Sequence, residues 1–300
     1  MAGRCSGMCL QVRSGDAVRK WMSKRCAAAA YIVLVTLMVA ASLLPPLHAQ
    51  ATTTIQSPFD HSIFDSLLHR YVVNGMVDYD GFKGAPEFAT YLQRLARFDP
   101  ASLPEAERLA FWINAYNAYT IELINEHNER ASIRDINKTL GFLKLHGPWS
   151  ESLAVVGQHH YTLDDIEQQI IRPTFHEPRV HFALVCAAMG CPPLRSEAYT
   201  GVKLNQQLDD QARIFLLESP AKNRVDISGR KVHVSMIFNL YKGDFGGTGA
   251  AVGRFIARFY PSGSVKDLLE SGDFKLVETP YDWTLNSQAN AARQLSPVKG

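Results

Sequence analysis

The sequence predicts an α+β fold, a single mixed domain with a buried central helix and a small sheet. The composition is that of a folded globular chain, since 46% of its 300 residues are hydrophobic and 20% are charged. Residues 105–127 form one long helical pattern whose middle is apolar on every side, and short strand patterns follow it. Because no repeat or low-complexity tract divides residues 58–286, we expect one domain there.

Short elements are expected before the central helix. Apolar residues at helical spacing predict a helix over residues 60–73, and the Asn-Gly pair at 74–75 would end it. Residues 76–82 fit either a short strand or a turn. A second small helix is predicted over residues 87–96.

The strongest helix signal begins at Ser102. Ser102 is a candidate N-cap, Pro104 would lie in the first turn, and Glu105 would complete a capping box. The pattern then continues through ERLAFWINAYNAYTIELINEH to about His127. Because its middle is apolar all round, we expect it to be buried and to form the spine of the domain.

Strands and helices alternate in the second half of the chain. A hairpin of residues 153–156 and 159–163 precedes a helix that should end at Ile171, before Pro173. The run RVHFALVC, residues 179–186, is typical of a buried strand. The remaining predictions are a helix over 203–217, a hairpin of 224–227 with 231–235, a helix near 250–259 and a strand near 274–278.

The first residues resemble a secretory leader. Eighteen uncharged residues, 27–44, follow Lys24-Arg25 and precede a Pro-Pro pair and the sequence Ala49-Gln50-Ala51. We therefore expect residues 1–51 to be a cleaved signal peptide, with a retained membrane anchor as the alternative. Translation from Met22 would leave a compact positive region before the apolar run.

The other boundaries follow from this interpretation. Residues 52–57 are a polar linker and residues 287–300 are expected to form a flexible tail. The mature protein would be periplasmic or secreted. It would contact a membrane only through the leader before cleavage.

Removal of the leader changes the charge of the chain. Six of the 31 lysines and arginines lie in residues 1–51, but only one of the 29 acidic residues does. The mature chain would carry 25 basic and 28 acidic side chains, a net charge of −3. We therefore expect no nucleic-acid partner.

Cleavage would also leave only two of the five cysteines, Cys186 and Cys191. In an oxidising compartment a disulfide between them is the first interpretation. The alternatives are a reactive thiol and two inert thiols.

Two asparagines share one face of the central helix. Asn114 and Asn117 are three positions apart, and a buried amide left unpaired costs about 1–3 kcal/mol per group. They are either a structural clamp on a neighbouring segment or, with Tyr116, part of a cleft that positions a carbonyl or carboxylate.

A thiol mechanism would use Cys191 as nucleophile and His181 as base, with Asn114 or Asn117 orienting the imidazole. On a strand, His181 and Cys186 would be about 17 Å apart and on opposite faces, so that pair is excluded. Cys191 follows a loop that can fold back toward His181. The proline after Cys191 argues against a helix N-terminus that would activate the thiol.

Other polar residues carry weaker signals. Glu167 is either a helix-face carboxylate, a partner of Arg179 or Arg195, or, with Arg195, part of a binding site. Metal binding through scattered histidines, beginning with the pair His159-His160, has no supporting motif. The glycine-rich stretch 243–249 lacks a phosphate-loop ending, so it is interpreted as a turn entering a helix, and no cofactor is expected.

Several motifs together resemble one family. They are FWINAYNAYT at 111–120, LDDIE at 163–167, VHFALVCAAMGCPPLR at 180–195, the stretch with Tyr241 and Asp244-Phe245, and YDWTLN at 281–286. In order, they are similar to the domain-of-unknown-function family numbered 547, over roughly residues 60–286. The resemblance implies no particular activity.

Three functions are therefore weighed. We expect an exported binding or interaction module with a polar cleft, whose partner is a small molecule, a peptide or a protein. The first alternative is a thiol-dependent hydrolase or amidase, and the second is a metal-assisted hydrolase.

Overall fold

The structure is a computed structural model that describes residues 58–137 and 147–295. The predicted leader and linker, residues 1–57, lie outside the described residues. Within the described ranges, no helix has the length and apolar character needed to cross a bilayer.

Helices dominate the domain. They are α1 Ser62–Tyr71, α2 Tyr79–Gly84, α3 Pro86–Arg97, α4 Glu105–Glu126, α5 Arg172–Phe175, α6 Leu204–Leu217, α7 Ile237–Leu240, α8 Gly249–Ala257, α9 Ser264–Ser271 and α10 Gln288–Leu295. The strands are β1 Val72–Val73, β2 Met76–Val77, β3 Ala154–Val156, β4 His159–Tyr161, β5 Arg224–Asp226, β6 Lys231–Val234 and β7 Lys275–Glu278. Together they confirm the predicted α+β class.

Helix α4 is the predicted spine. Every side chain from Leu109 to Ile121 is buried. The predicted N-cap at Ser102 is wrong, because Pro104 occupies the N-cap position. Ser102 instead ends a short 3-10 turn that the Asp99 carboxylate caps by accepting a hydrogen bond from the Ala101 N–H.

Two apolar clusters form the core. The first surrounds α4, where α1 and α3 place Phe64 and Tyr91 in a stacked pair with ring centroids 4.9 Å apart. The second lies between α6, α8 and the three-stranded sheet, and Phe245 is at its centre, 4.8 Å from Phe238 and 4.9 Å from Phe255. Large aromatic side chains supply much of the buried apolar area in both clusters.

The largest sheet has the order β5-β6-β7. Strands β5 and β6 form the predicted antiparallel hairpin, with Val225 opposite Val232. Strand β7 adds to β6 in parallel, with Leu276 opposite Val232. Two-stranded antiparallel sheets are formed by β1 with β2 and by β3 with β4.

The predicted strand over residues 179–186 is wrong. Pro178–Phe182 forms a 3-10 helix, and the following backbone bonds to the side chain of Asn117 instead of to a neighbouring strand. An apolar run of this length is buried in either conformation, so its hydrophobicity does not determine which one forms.

The helix near residue 165 extends further than predicted. A π-helical segment, Asp165–Ile171, continues directly into α5, so the chain does not stop before Pro173. Pro173 is the second residue of the four-residue α5, and the helix ends two residues later at Phe175.

Part of the predicted tail is helical. Helix α10 occupies Gln288–Leu295. The buried Asn290 side chain donates hydrogen bonds to the carbonyls of Arg130 and Leu285, each at 3.1 Å. This differs from a flexible tail that begins at residue 287.

Candidate functional site

A cavity of about 220 Å³ lies beside the middle of α4. Aromatic and aliphatic side chains form most of its wall, and a few polar groups converge on its floor. The lining residues are Tyr116, Trp149, Asp164, Glu167, His181, Leu184, Cys186, Cys191, Pro192, Met236, Ile237, Leu240, Tyr241, Tyr281 and Trp283. This combination of wall and floor is typical of a ligand site.

Distant parts of the chain build this cleft. Helix α4 contributes Tyr116, the π-helical segment contributes Glu167, and the 3-10 helix Pro178–Phe182 contributes His181. Helix α7 and the residue after it supply another wall. Tyr281 and Trp283 close the site from the C-terminal segment.

His181 is the central polar group of the floor. Its Nε2 lies 2.8 Å from Asp244 Oδ2, and its Nδ1 lies 3.8 Å from Glu167 Oε1, which is too long for a hydrogen bond. Its ring stacks on Tyr241 with centroids 3.9 Å apart. These contacts hold the imidazole in one orientation.

The protonation of this histidine follows from its surroundings. Burial lowers the pKa of His181 to about 4, against the opposing effect of Asp244. Arg172 binds both oxygens of Asp244, at 2.7 and 2.8 Å, and with His181 it lowers the pKa of that carboxyl to about 2. Ionised Asp244 can only accept, so Nε2 carries the proton and Nδ1 presents a lone pair toward Glu167.

The pKa of Glu167 shifts upward, opposite to that of Asp244. Burial raises the pKa of this carboxyl, and the hydrogen bond from the Tyr241 hydroxyl only partly offsets the effect. The Tyr241 hydroxyl stays protonated, since burial and the neighbouring Glu167 raise its pKa. An acceptor nitrogen and a readily protonated carboxyl therefore stand side by side on the floor.

The two cysteines lie at disulfide-bonding distance, as predicted. Cys191 is buried, and Cys186 is partly exposed to the cleft. The hydroxyl of Tyr281 is 3.1 Å from each sulfur. The disulfide and Tyr281 thus form one side of the cleft.

The disulfide affects the predicted role of Cys191 as a nucleophile. A sulfur in a disulfide is not a free thiol, so Cys191 can serve as nucleophile only in reduced protein. The predicted separation of about 17 Å between His181 and Cys186 required a continuous strand, and no strand forms there. The structure brings His181 and both cysteines to one cavity.

Asn114 and Asn117 have the contacts of a clamp. Asn114 donates to the Tyr199 carbonyl at 2.8 Å and accepts from the Tyr199 N–H at 2.9 Å. Asn117 bonds in the same way to the Ala183 carbonyl, at 2.9 Å, and the Val185 N–H, at 3.0 Å. Each amide thus uses one donor and its acceptor oxygen to fix a segment that leads into or out of the cysteine loop.

Of the remaining predicted residues, some line the cleft and others lie outside it. Tyr116 is buried and lines the cleft. Arg195 pairs with Glu197, so the predicted contact between Arg195 and Glu167 does not form. Arg179, the other suggested partner of Glu167, instead pairs with Glu177 and Asp209.

Sequence reasoning missed the partner of His181. The glycine-rich stretch is the predicted turn before a helix, and it also carries Asp244. The acidic residue in that turn was a usable signal, but 63 positions separate it from His181. Trp149, Tyr281 and the Arg172 support of Asp244 were also missed.

Within residues 58–137 and 147–295, no cluster of three or more histidine, cysteine, aspartate or glutamate side chains is arranged to hold a metal ion. His159 and His160 lie on β4 with exposed side chains.

The family model described as "Protein of unknown function, DUF547" matches residues 100–216. Residues 100–216 of this chain are thus similar to the DUF547 family. The matched region includes α4, Glu167, His181 and both cysteines, whereas Tyr241 and Asp244 lie beyond it. No curated protein and no solved structure gives a significant match to the chain. The matched region therefore supplies one half of the cleft floor and later residues supply the other.

Asn114→Leu tests the clamp. The change removes two buried hydrogen bonds and leaves the Tyr199 backbone groups unpaired, so we expect the free energy of unfolding to fall by about 2–4 kcal/mol. Urea denaturation followed by circular dichroism measures it. Unchanged stability would contradict a structural role for this amide.

Acidification tests the neutral state of His181. In the folded state its pKa is about 4, whereas the ordinary value is 6.5, so the unfolded chain binds an extra proton between these limits. The free energy of unfolding should therefore decrease as the pH falls from 6.5 toward 4, by up to about 1.4 kcal/mol per pH unit from this residue.

His181→Gln should remove that share of the pH dependence. Denaturation of both proteins across the interval gives the two slopes, and an NMR titration of the imidazole gives the pKa directly. Equal slopes, or an imidazole that titrates near its ordinary pKa, would show that His181 is not held neutral.

Proposed function

We propose that the domain of this chain is a binding module and that the cleft takes a small ligand. The observation that carries the proposal is the floor of the cavity, where His181 and Glu167 are buried and turned toward each other without a direct hydrogen bond. The Nε2 of His181 is bonded to Asp244, and its Nδ1 is the acceptor at the cavity, where a donor of a ligand would bind.

The size of the cavity supports a small ligand. Its volume of about 220 Å³ is below the range of about 300–1,000 Å³ that is usual for drug-sized molecules. The predominance of aromatic and aliphatic wall residues favours a ligand with an apolar part. The ligand would place that part against the wall and its polar group on the floor.

Export is proposed together with this function. The leader pattern of residues 1–51 supports a periplasmic or secreted location. The proximity of Cys186 and Cys191 agrees with an oxidising compartment. A ligand available outside the cytoplasm is therefore expected.

Filling the cleft tests the binding function. Met236 lines the cavity, so Met236→Trp should abolish the binding of small fragments that the wild-type protein takes up. Val202→Trp is the matched control, because Val202 is 93% exposed and does not line the cavity. A fragment screen by protein-observed NMR measures both, and fragments that bind the Met236 variant as tightly as wild type would place binding elsewhere.

A second candidate is a thiol-dependent hydrolase. The observation that favours it is that His181, Cys186 and Cys191 line one cavity. A dithiol reductant would convert the disulfide to two thiols and itself become a disulfide. The Nδ1 of His181 could then take the proton from one thiol, and the thiolate would attack an acyl carbon.

Activity toward p-nitrophenyl acetate tests this candidate. The thiolate sulfur bonds to the acetyl carbon, the ester C–O bond breaks, and p-nitrophenolate leaves. Protein that is reduced and then freed of reductant should release it faster than oxidised protein, by a factor of about 10²–10⁴ if His181 acts as the base. His181→Gln should remove most of that gain, whereas equal rates for the reduced and oxidised wild type would exclude the mechanism.

A further inference from the structure

The charged side chains among the described residues that line the cleft are all acidic. Two carboxyl groups, Asp164 and Glu167, line it, and none of the described residues that line it is a lysine or arginine. His181 is neutral above a pH of about 4, so it adds no positive charge at neutral pH. The ionisable groups that face the cavity are therefore acidic.

The charges directly behind His181 are paired with each other. Arg172 makes a two-point ion pair with Asp244, and these opposite charges offset each other. Asp164 lies at the exposed edge of the cleft, where its carboxylate accepts a hydrogen bond from Ser150 at 2.8 Å. Glu167 and Asp164 are left without a cationic neighbour among the lining residues.

Glu167 gains most from a positive charge nearby. Burial favours the neutral form of this carboxyl, and a cation in the cavity would favour the ionised form. The neighbouring Tyr241 hydroxyl also lowers the pKa of this carboxyl. The remaining acceptor capacity of a carboxylate is available to a donor placed in the cavity.

Three aromatic rings of the cavity lining stand together, those of Trp149, Tyr281 and Trp283. The ring centroids of Trp149 and Trp283 are 6.1 Å apart, and those of Tyr281 and Trp283 are 4.6 Å apart. All three side chains are partly exposed. Arg134 lies over the Trp283 ring at 5.0 Å, so this wall already attracts a cation of the chain itself.

The Tyr241 ring differs from these three rings because it contacts other side chains of the domain. Its ring is stacked against His181, and the guanidinium of Arg172 lies 5.1 Å from its centroid. Its ring faces are thus engaged within the domain, and its hydroxyl is what it offers to Glu167. Trp149, Tyr281 and Trp283 remain the rings for a ligand.

We infer that the ligand of this cleft is a small organic cation, an ammonium group with or without methyl substituents, held between the Trp149–Tyr281–Trp283 wall and the Glu167 carboxylate. The inference rests on the proposed binding function and names the class of ligand. Aromatic faces and a buried carboxylate both stabilise such a cation, and a pocket of this size admits only a small one.

Three probe molecules of similar size separate the contribution of the ligand's charge from that of its methyl groups. Choline carries a quaternary ammonium, ethanolamine carries a primary ammonium, and 3,3-dimethylbutan-1-ol is the neutral carbon analogue of choline. Isothermal titration calorimetry or NMR titration of the whole protein gives each affinity. We expect at least one cation to bind about tenfold or more tightly than the neutral alcohol, because only the cation interacts with the rings and the carboxylate through its charge.

Variants then locate the site. Glu167→Gln should weaken the cation about tenfold and leave the neutral alcohol unchanged, and Trp283→Leu should weaken the cation as well. The control is Glu87→Gln, which removes an equal charge from the exposed face of α3 and should bind as wild type does. Circular dichroism of each variant establishes that it is folded.

The outcomes separate the two proposals. Equal binding of choline and its neutral analogue, both lost in the Met236→Trp variant, would overturn the inference and leave the binding function in place. Cation binding that is unaffected by Glu167→Gln and Trp283→Leu would also overturn it, since the cation would then bind outside this wall. Failure of every probe while other fragments still enter the cleft would overturn the cation class alone, and failure of all fragments would overturn both.

Discussion

The cleft depends on two amide side chains, Asn114 and Asn117, in the buried middle of a long helix. Both lie in α4 and form hydrogen bonds with the backbone around residues 183–185 and 199. This backbone carries no strand partner of its own. The rigid helix therefore fixes both ends of the loop that contains the cysteines, and it fixes the 3-10 helix that carries His181.

A series of charged and polar groups leads from the surface to the cavity. The partly exposed Arg172 pairs with Asp244, and Asp244 contacts Nε2 of His181. The other ring nitrogen of His181 faces Glu167 at the bottom of the cavity. Each group changes the protonation of the next, because the dielectric response decreases as burial increases. The result is a neutral base and a weakly acidic carboxyl in an aromatic enclosure, an arrangement that the apolar core alone would not require.

Local patterns predicted α4, α6 and the β5–β6 hairpin, since their periodicity and turn residues lie within each segment. The strand expected over 179–186 failed because its backbone partner, Asn117, is distant in sequence and invisible to local periodicity. The disulfide could be predicted from the sequence because Cys186 and Cys191 are only five positions apart. The pairing of His181 with Asp244 could not be predicted, because it depends on the packing of Phe182 against Phe245, which brings two distant segments together.

The C-terminal segment has a consequence for the order of assembly. Tyr281 and Trp283 complete the cleft wall, and three residues later the Asn286 side chain accepts a hydrogen bond from Tyr79 at 2.6 Å while its carbonyl accepts one from the Val77 N–H at 2.9 Å. The segment that is synthesised last thus carries one wall of the cleft together with the contacts to residues 77 and 79 near the start of the domain. The wall is complete only when that segment has docked, so a chain truncated before Tyr281 would keep the spine and the cysteine loop but have an open cleft.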